Sequence, residues 1–222
     1  MRKIFIIVLA GILWSCDGDP IEAGVVTTIE GRIYDRQNEL PFENLKIKVA
    51  EYKTHQKSIY MHTEFIQWID STYTDQNGDY LLEFETSGRG DLYQFHVESR
   101  PNMWDYNNGT FDIPYIGKNS NIDLGLLHLF PVKLVIEMND IGHLPVTVNP
   151  RFYQDVEDIN TGSGTVERTI FADKNSDNTV YFSRRLTPND YEGYTAVIPA
   201  THTTELANYN LTLNNSDFVK RE

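Results

Sequence analysis

The chain has 222 residues and a formal net charge of −13. That acidic balance argues against nucleic acid as a partner, because phosphate binding needs a basic footprint. Hydrophobic residues at 40% and charged residues at 23% are ordinary for a globular protein, and the length supports one large or two small cores.

The first sixteen residues carry the strongest local signal. Arg2 and Lys3 precede the apolar run Ile4 to Leu13, and Leu13-Trp14-Ser15-Cys16 follows. Ten helical residues rise about 15 Å, half of the roughly 30 Å needed to span a hydrocarbon core, so the run reads as a signal-peptide h-region. Cys16 is the one cysteine of the chain, which leaves no partner for an intramolecular disulfide. Its position resembles a bacterial lipobox, in which cleavage precedes a lipidated cysteine; Leu13 and Ser15 fit that pattern and Trp14 is unusual in it. Loss of residues 1–15 removes two of the 19 basic residues and none of the 32 acidic ones, leaving a formal charge of −15. Such a surface repels anionic head groups, so the lipid is expected to be the membrane contact.

Beyond a tether at 16–24, strand periodicity dominates. Leu45-Lys46-Ile47-Lys48-Val49 alternates apolar and charged residues, as do Tyr80, Leu82 and Phe84 with Leu81, Glu83 and Glu85 between them. Tyr93 to Glu98, Val132 to Met138 and Tyr209 to Leu213 repeat the pattern, which puts one strand face in a core and the other in water. Ser58 to Ser71 comes nearest to a helical stripe, yet its Ile, Phe, Tyr and Trp residues suit strands at least as well. Asn77-Gly78 reads as a hairpin turn, and Asn108-Gly109 and Asp173 to Asn178 read as further turns. A boundary is expected near Phe130-Pro131. Candidate strands after it are Val132–Met138, Val146–Phe152, Val166–Phe171, Val180–Leu186, Tyr194–Ile198 and Leu206–Leu213. The expected fold is all-β, with two small antiparallel β-sandwich domains in tandem after the signal peptide, spanning 25–130 and 131–222, the second ending in a short disordered tail.

Ile29-Glu30-Gly31-Arg32-Ile33-Tyr34-Asp35, then Leu40-Pro41-Phe42 leading into Leu45–Val49, then Thr74-Asp75-Gln76-Asn77-Gly78-Asp79-Tyr80 resembles the carboxypeptidase-regulatory-like (transthyretin-like) domain over about residues 25–130. The long aromatic-rich stretch between Val49 and Thr74, and Phe42 where Gly or Ala is usual, depart from that family's pattern. The resemblance implies a non-catalytic β-sandwich of the kind that opens lipoproteins and outer-membrane proteins of the Bacteroidetes. In that setting Asp17 and Asp19 resemble a surface-export signal, whereas in enterobacteria an Asp after the cysteine marks inner-membrane retention. The resemblance favours the outer membrane, lipid-anchored and facing outward.

Candidate sites follow from residue type and spacing. Asp75, Asn77 and Asp79, and again Asp173, Asn175 and Asp177, form D-x-N-x-D segments that could offer oxygens to Ca²⁺. Neither has glycine at its sixth position, the twelfth positions are Thr86 and Arg184, and Asx residues also serve turns by local hydrogen bonding. The six histidines show no zinc-ligand spacing, and Thr161-Gly162-Ser163-Gly164 lacks the setting of a nucleophile elbow, so no catalytic residue, metal or cofactor is expected. The aromatic stretch 100–119, with Trp104, Tyr106 and Tyr115, and the separate Trp68 are candidate ligand platforms, with packing the favoured reading for Trp68 and Trp104 because aromatics chiefly fill cores and interfaces. The expected function is a non-catalytic envelope lipoprotein that binds or scaffolds another envelope component. The alternatives are a glycan-binding lipoprotein of a polysaccharide-uptake system and an envelope hydrolase.

Overall fold

The computed structural model describes residues 19–57, 60–105, 109–152 and 157–220. Cys16 with its leader and Tyr106 lie outside these residues. Everything described is strand, turn or loop except one short 3-10 turn. The strands are β1 (Val26–Asp35), β2 (Lys46–Lys57), β3 (Tyr60–Tyr73), β4 (Asp79–Glu85), β5 (Leu92–Val97), β6 (Met103–Trp104), β7 (Thr110–Asp112), β8 (Asn119–Asn121), β9 (Leu124–His128), β10 (Phe130–Asn139), β11 (Val146–Pro150), β12 (Glu157–Ile159), β13 (Gly164–Ala172), β14 (Asn178–Thr187), β15 (Asp190–Ile198), β16 (Ala207–Asn214) and β17 (Val219–Lys220). They fall into two compact units that interleave in sequence. The first runs through Ile33 and adds 42–98 and 110–123; the second takes 34–41, 99–109 and everything from Leu124 on.

In the first unit, β4 pairs antiparallel with β1 (Ile29↔Leu82) and β8 pairs parallel with it (Ile29↔Ser120). A second sheet runs β3-β2-β5-β7, antiparallel throughout. The alternation seen in the sequence sets which side chains meet: Ile29, Ile33, Leu45, Ile47, Val49, Leu82 and Phe84 are all buried. Tyr80 approaches Phe95 at 6.4 Å and Phe84 approaches Tyr93 at 5.8 Å between ring centroids. These contacts join a strand of one sheet to a strand of the other, which makes the unit a sandwich.

Gly31 shows why the first motif carries glycine. A Cβ there would lie 2.2 Å from the Ile122 carbonyl oxygen, and Ile122 N is held by the Glu30 carbonyl at 2.8 Å. Backbone on backbone has nowhere to yield. Gly31→Ala is therefore expected to cost up to about 3 kcal/mol, as overpacking does. Gly142→Ala, whose Cβ would meet only Asn215 Oδ1 at 3.7 Å, is expected to stay within about 0.5 kcal/mol. Urea midpoints of the two variants check this.

The second unit has a three-stranded sheet β13-β10-β16 and a five-stranded sheet β12-β11-β14-β15-β17. Here β16 lies parallel to β10 (Leu134↔Tyr209), while the other pairings are antiparallel. Val132, Leu134, Ile136 and Met138 face a core completed by Val146, Val148, Ile170, Val180, Phe182 and Ile198. The tail differs from expectation. Residues Asn215–Asp217 form the 3-10 turn, and Val219 pairs with Gly193 of β15. The segment is held by hydrogen bonds from buried groups that its polar composition did not reveal.

Both D-x-N-x-D segments are corners between sheets. Asn77-Gly78 is a turn, as predicted, but its flanking strands belong to different sheets, β3 pairing with β2 and β4 with β1. Asp173 to Asn178 likewise leads from β13 to β14, strands of different sheets. A corner has no extended ladder across it, so side chains join local backbone bonds, such as Gly78 N to the Asp75 carbonyl at 3.0 Å, in satisfying its amides. Asp75 Oδ1 accepts from the backbone N–H groups of Asn77 (2.8 Å) and Asp79 (2.9 Å). Asp173 accepts from Asn175 N at 2.9 Å, from the Ser176 hydroxyl at 2.7 Å and from the Gln37 amide at 3.2 Å. These are Asx-turn contacts. Asn77 and Asn175 stand inside the two turns, and Asp177 accepts from Ala200 N at 3.1 Å.

Candidate functional site

The outer face of the β3-β2-β5-β7 sheet gathers the most unusual exposed chemistry. Along β2, Ile47, Val49 and Glu51 point inward, so Lys46, Lys48, Ala50 and Tyr52 point outward. Opposite them, β3 carries two bulges: Val49 pairs Asp70 but Ala50 pairs Trp68, and Glu51 pairs Gln67 but Tyr52 pairs Phe65. Ile69 and Ile66 are the extra residues. Each bulge resets the pleat, so Tyr73, Ser71, Trp68 and Phe65 all emerge on the same side as Lys46 to Tyr52. From β5 and β7 the same face receives His96 and Thr110.

The rings form a connected mosaic. Phe65 and Trp68 centroids are 5.4 Å apart, Trp68 and His96 5.1 Å at near right angles, and Tyr52 lies 5.7 Å from Phe65 and 6.0 Å from His96. β3 and β5 flank β2, two strand spacings of about 4.8 Å apart, so Trp68 and His96 meet above β2. Ala50, in register with Trp68 and Gln94, is the small residue that leaves room, and it has no exposed surface. Phe65, Trp68 and Tyr73 nevertheless remain 47%, 49% and 52% exposed. Edge-to-face rings contribute about 0.5–1.5 kcal/mol each beyond their burial, which fixes the surface without covering it.

Polar groups frame the rings. The Tyr52 hydroxyl and His96 Nε2 are 2.9 Å apart, and the Thr110 hydroxyl meets His96 Nδ1 at 3.1 Å. Burial, then the charge of Lys48, holds the His96 imidazole below its usual range, so it is neutral at pH 7. Lys48 Nζ stands 4.8 Å over the Trp68 ring and Lys46 Nζ 5.5 Å over Tyr73. Among the described residues neither ammonium is in an ion pair.

The other sequence candidates are placed elsewhere. Trp104 belongs to the second unit, where it pairs with Leu127 and packs edge-on against Phe152 at 5.4 Å beside Leu127 and Leu129. Tyr115, in the first unit, is exposed with Lys118 Nζ 5.3 Å from its ring. Phe111 of the same stretch stacks on the core residue Phe95 at 5.1 Å. Of the three described candidates, Trp68 is the one that joins the mosaic. Tyr52, Phe65, His96 and the two lysines were not singled out from sequence, although Lys46 and Lys48 are the charged positions of a recognised alternating strand.

Among the described residues no group of three or more His, Cys, Asp or Glu is arranged to hold a metal ion. A cleft of about 210 Å³ in the second unit, lined by Pro101, Val148, Phe152, Arg168 and Phe171, is smaller than the roughly 300–1,000 Å³ of small-molecule sites. No helix among the described residues is long and apolar enough to cross a membrane.

Fold and face together define an all-β protein, built mostly of antiparallel strand pairs, with an open aromatic surface among its described residues. No protein-family model and no curated protein matches the chain. Solved structures similar to it include the Bacillus anthracis TIE protein (11% identity, TM-score 0.35), of which the chain spans 34% while 85% of the chain is covered. A Streptococcal ancillary pilin shares 12% identity at a TM-score of 0.40, with 84% of this chain and 62% of the pilin covered. The shaft pilin SpaA from Lactobacillus rhamnosus GG shares 10% identity at a TM-score of 0.32, over 86% of this chain and 98% of the pilin. At these values nothing about partners or activity carries over.

Proposed function

We propose that the chain is a non-catalytic module of the cell envelope, anchored in the outer membrane by lipid on Cys16, that binds or scaffolds another envelope component through the outer face of the β3-β2-β5-β7 sheet. One observation carries the choice of surface. Three large aromatic side chains, Phe65, Trp68 and Tyr73, are each about half exposed on one continuous sheet face. A soluble protein seldom leaves such a patch open unless something covers it. The lipobox-like ending of the leader supports the anchor, and the acidic balance supports a lipid-only membrane contact.

The test uses the full chain purified in detergent and mixed with lipid-extracted envelope fragments. The wild type is expected to sediment with them, and the Phe65→Ala/Trp68→Ala variant to stay in the supernatant with an unchanged melting temperature. Equal sedimentation of both removes this face from the reading. A mature N-terminus without lipid mass on Cys16 removes the anchor.

A further inference from the structure

We propose that the occupant of this face is an acidic polysaccharide, a glycan bearing hexuronate carboxylates. Its sugar rings lie on Phe65 and Trp68, and its carboxylates meet Lys46 and Lys48. The proposal rests on the reading of this face as the binding surface and adds the chemistry of its ligand.

Three features point the same way. The first is shape: the surface is an open sheet face, not a pocket, and Lys46 to Tyr52 extends about 20 Å along β2 at 3.3 Å per residue. An extended polymer can lie on such a face, whereas a small molecule would stay mostly exposed. The second is the mixture of groups. Sugars present apolar C–H faces and a rim of hydroxyls, which suits aromatic planes bordered by His96, Thr110 and Gln94. His96 already meets the Tyr52 and Thr110 hydroxyls through its two ring nitrogens, which orders that border in advance. The third is charge. On a chain of net charge −13, this face carries Lys46 and Lys48 over its rings, while Asp112, Glu64 and Lys53 each have another partner. Asp112 accepts from the Gln94 amide at 2.8 Å, Glu64 lies 3.0 Å from His55, and Lys53 pairs with Asp91 at 3.4 Å. No ion pair forms between either free lysine and the nearby Glu98. Two unpaired ammoniums beside aromatic planes, in an otherwise acidic protein, complement a carboxylate-bearing sugar better than a neutral one.

A lipid surface would also meet rings and lysines, but the border of hydroxyls and imidazole gains little from acyl chains. A second copy of the chain would bring its own lysines against Lys46 and Lys48.

Affinity electrophoresis of the detergent-purified full chain through polygalacturonate, and through the same polymer fully methyl-esterified, tests the proposal. The wild type is expected to be retarded by polygalacturonate at least about tenfold more strongly than by the ester, with the difference shrinking in high salt. Trp68→Ala is expected to lose retardation by about tenfold or more, and Lys46→Gln/Lys48→Gln to lose the preference for the charged polymer. The lysine variant keeps the proposal testable if Trp68→Ala fails to fold, since both lysines are solvent-facing. Equal retardation by the two polymers overturns the charge assignment. No retardation by either, while envelope sedimentation still depends on Phe65 and Trp68, overturns the glycan and leaves the binding face standing. Binding to phosphatidylcholine or phosphatidylglycerol vesicles, or dimerisation lost in Trp68→Ala, also overturns it.

Discussion

Glu51→Ala is expected to destabilise the first unit by about 3–5 kcal/mol, the range in which removing one partner of a buried charged network falls. Glu51 has no exposed surface and occupies a core-facing position of β2, continuing the row Leu45, Ile47, Val49. Its Oε1 accepts from Gly90 N at 2.8 Å, Arg89 N at 3.3 Å and the Tyr93 hydroxyl at 2.6 Å. Its Oε2 accepts from the Ser87 hydroxyl at 2.5 Å and the Gln67 amide at 3.1 Å. Five donors thus converge on one carboxylate with no cation in the set, and truncation leaves the buried Gly90 N–H and Tyr93 hydroxyl without this acceptor and the other three donors without it at the margin. Glu51→Gln keeps an acceptor but turns an NH₂ toward donors, so its expected cost is smaller, about 1.5–3 kcal/mol.

The same network gives the effect its pH dependence. Burial raises the Glu51 pKa, but the bonds from Ser87, Tyr93, Gly90 and Gln67 outweigh it and hold the carboxyl below its usual range. A carboxyl depressed in the folded state stabilises above its unfolded pKa, about 4.3, and that contribution fades as pH falls through the folded value. The gap between wild type and Glu51→Gln is therefore expected to be full at pH 7 and to narrow below about pH 4. Urea melts at pH 7, 5, 4 and 3 measure it, and a gap that does not change with pH contradicts the ionised network. Asp91 and Asp173, both held below their usual range by hydrogen bonds that outweigh burial, add to the loss in acid. His96 and His128 act earlier. Burial chiefly lowers both, so the unfolded chain takes up protons first, and stability begins to fall once pH drops below about 6.5.

Alternation made most of the strand interior legible: Leu45, Ile47 and Val49, Tyr80, Leu82 and Phe84, and Val132 to Met138 all bury the side predicted. Glu51 was legible in principle, because carrying the β2 alternation two residues further puts a carboxylate in the core. The face around Trp68 was hidden by its own construction. Two bulges separate Phe65, Trp68 and Ser71 by three residues each, a spacing that mimics a helical stripe in sequence although it belongs to a strand. Bulges answer to the partner strand, which a single segment does not show. Sheet membership was hidden for a related reason. Asn77-Gly78 marks a reversal equally well whether its strands pair or pass to opposite sheets, and only long-range pairing with β1 and β2 decides. In the aromatic stretch 100–119, the register of Trp104 with Leu127 and the stacking of Phe111 on Phe95 turn two rings inward, a choice between packing and binding that depends on partners distant in sequence.

Arg184→Ala is expected to cost about 3–5 kcal/mol in the second unit and to free the chain after Asn214. In sequence Arg184 was the residue that spoiled the twelfth position of a calcium loop. In the fold it is a buried guanidinium, 5% exposed, whose donors are spread over three segments. Glu192 Oε2 accepts at 3.0 and 2.6 Å, the Gly142 carbonyl at 3.1 Å, and Asn215 through its side chain at 2.5 Å and its carbonyl at 3.3 Å. Phe218 lies under the guanidinium at 4.4 Å. Arginine suits this place because its planar fork serves several acceptors at once, so Arg184→Lys is expected to recover little. Removing it leaves Glu192 without its cation and the 3-10 turn without its anchor, although Asn214 N still reaches Asp217 Oδ2 at 2.7 Å. Limited proteolysis separates a local from a global effect. Rapid cleavage within 215–220, ahead of any cut in β10 or β14, is the expected pattern for Arg184→Ala, with Glu192→Gln cleaved more slowly. If the tail stays protected and the urea midpoint moves by less than 1 kcal/mol equivalent, the tail is held by the pairing of Val219 with Gly193 and not by the arginine.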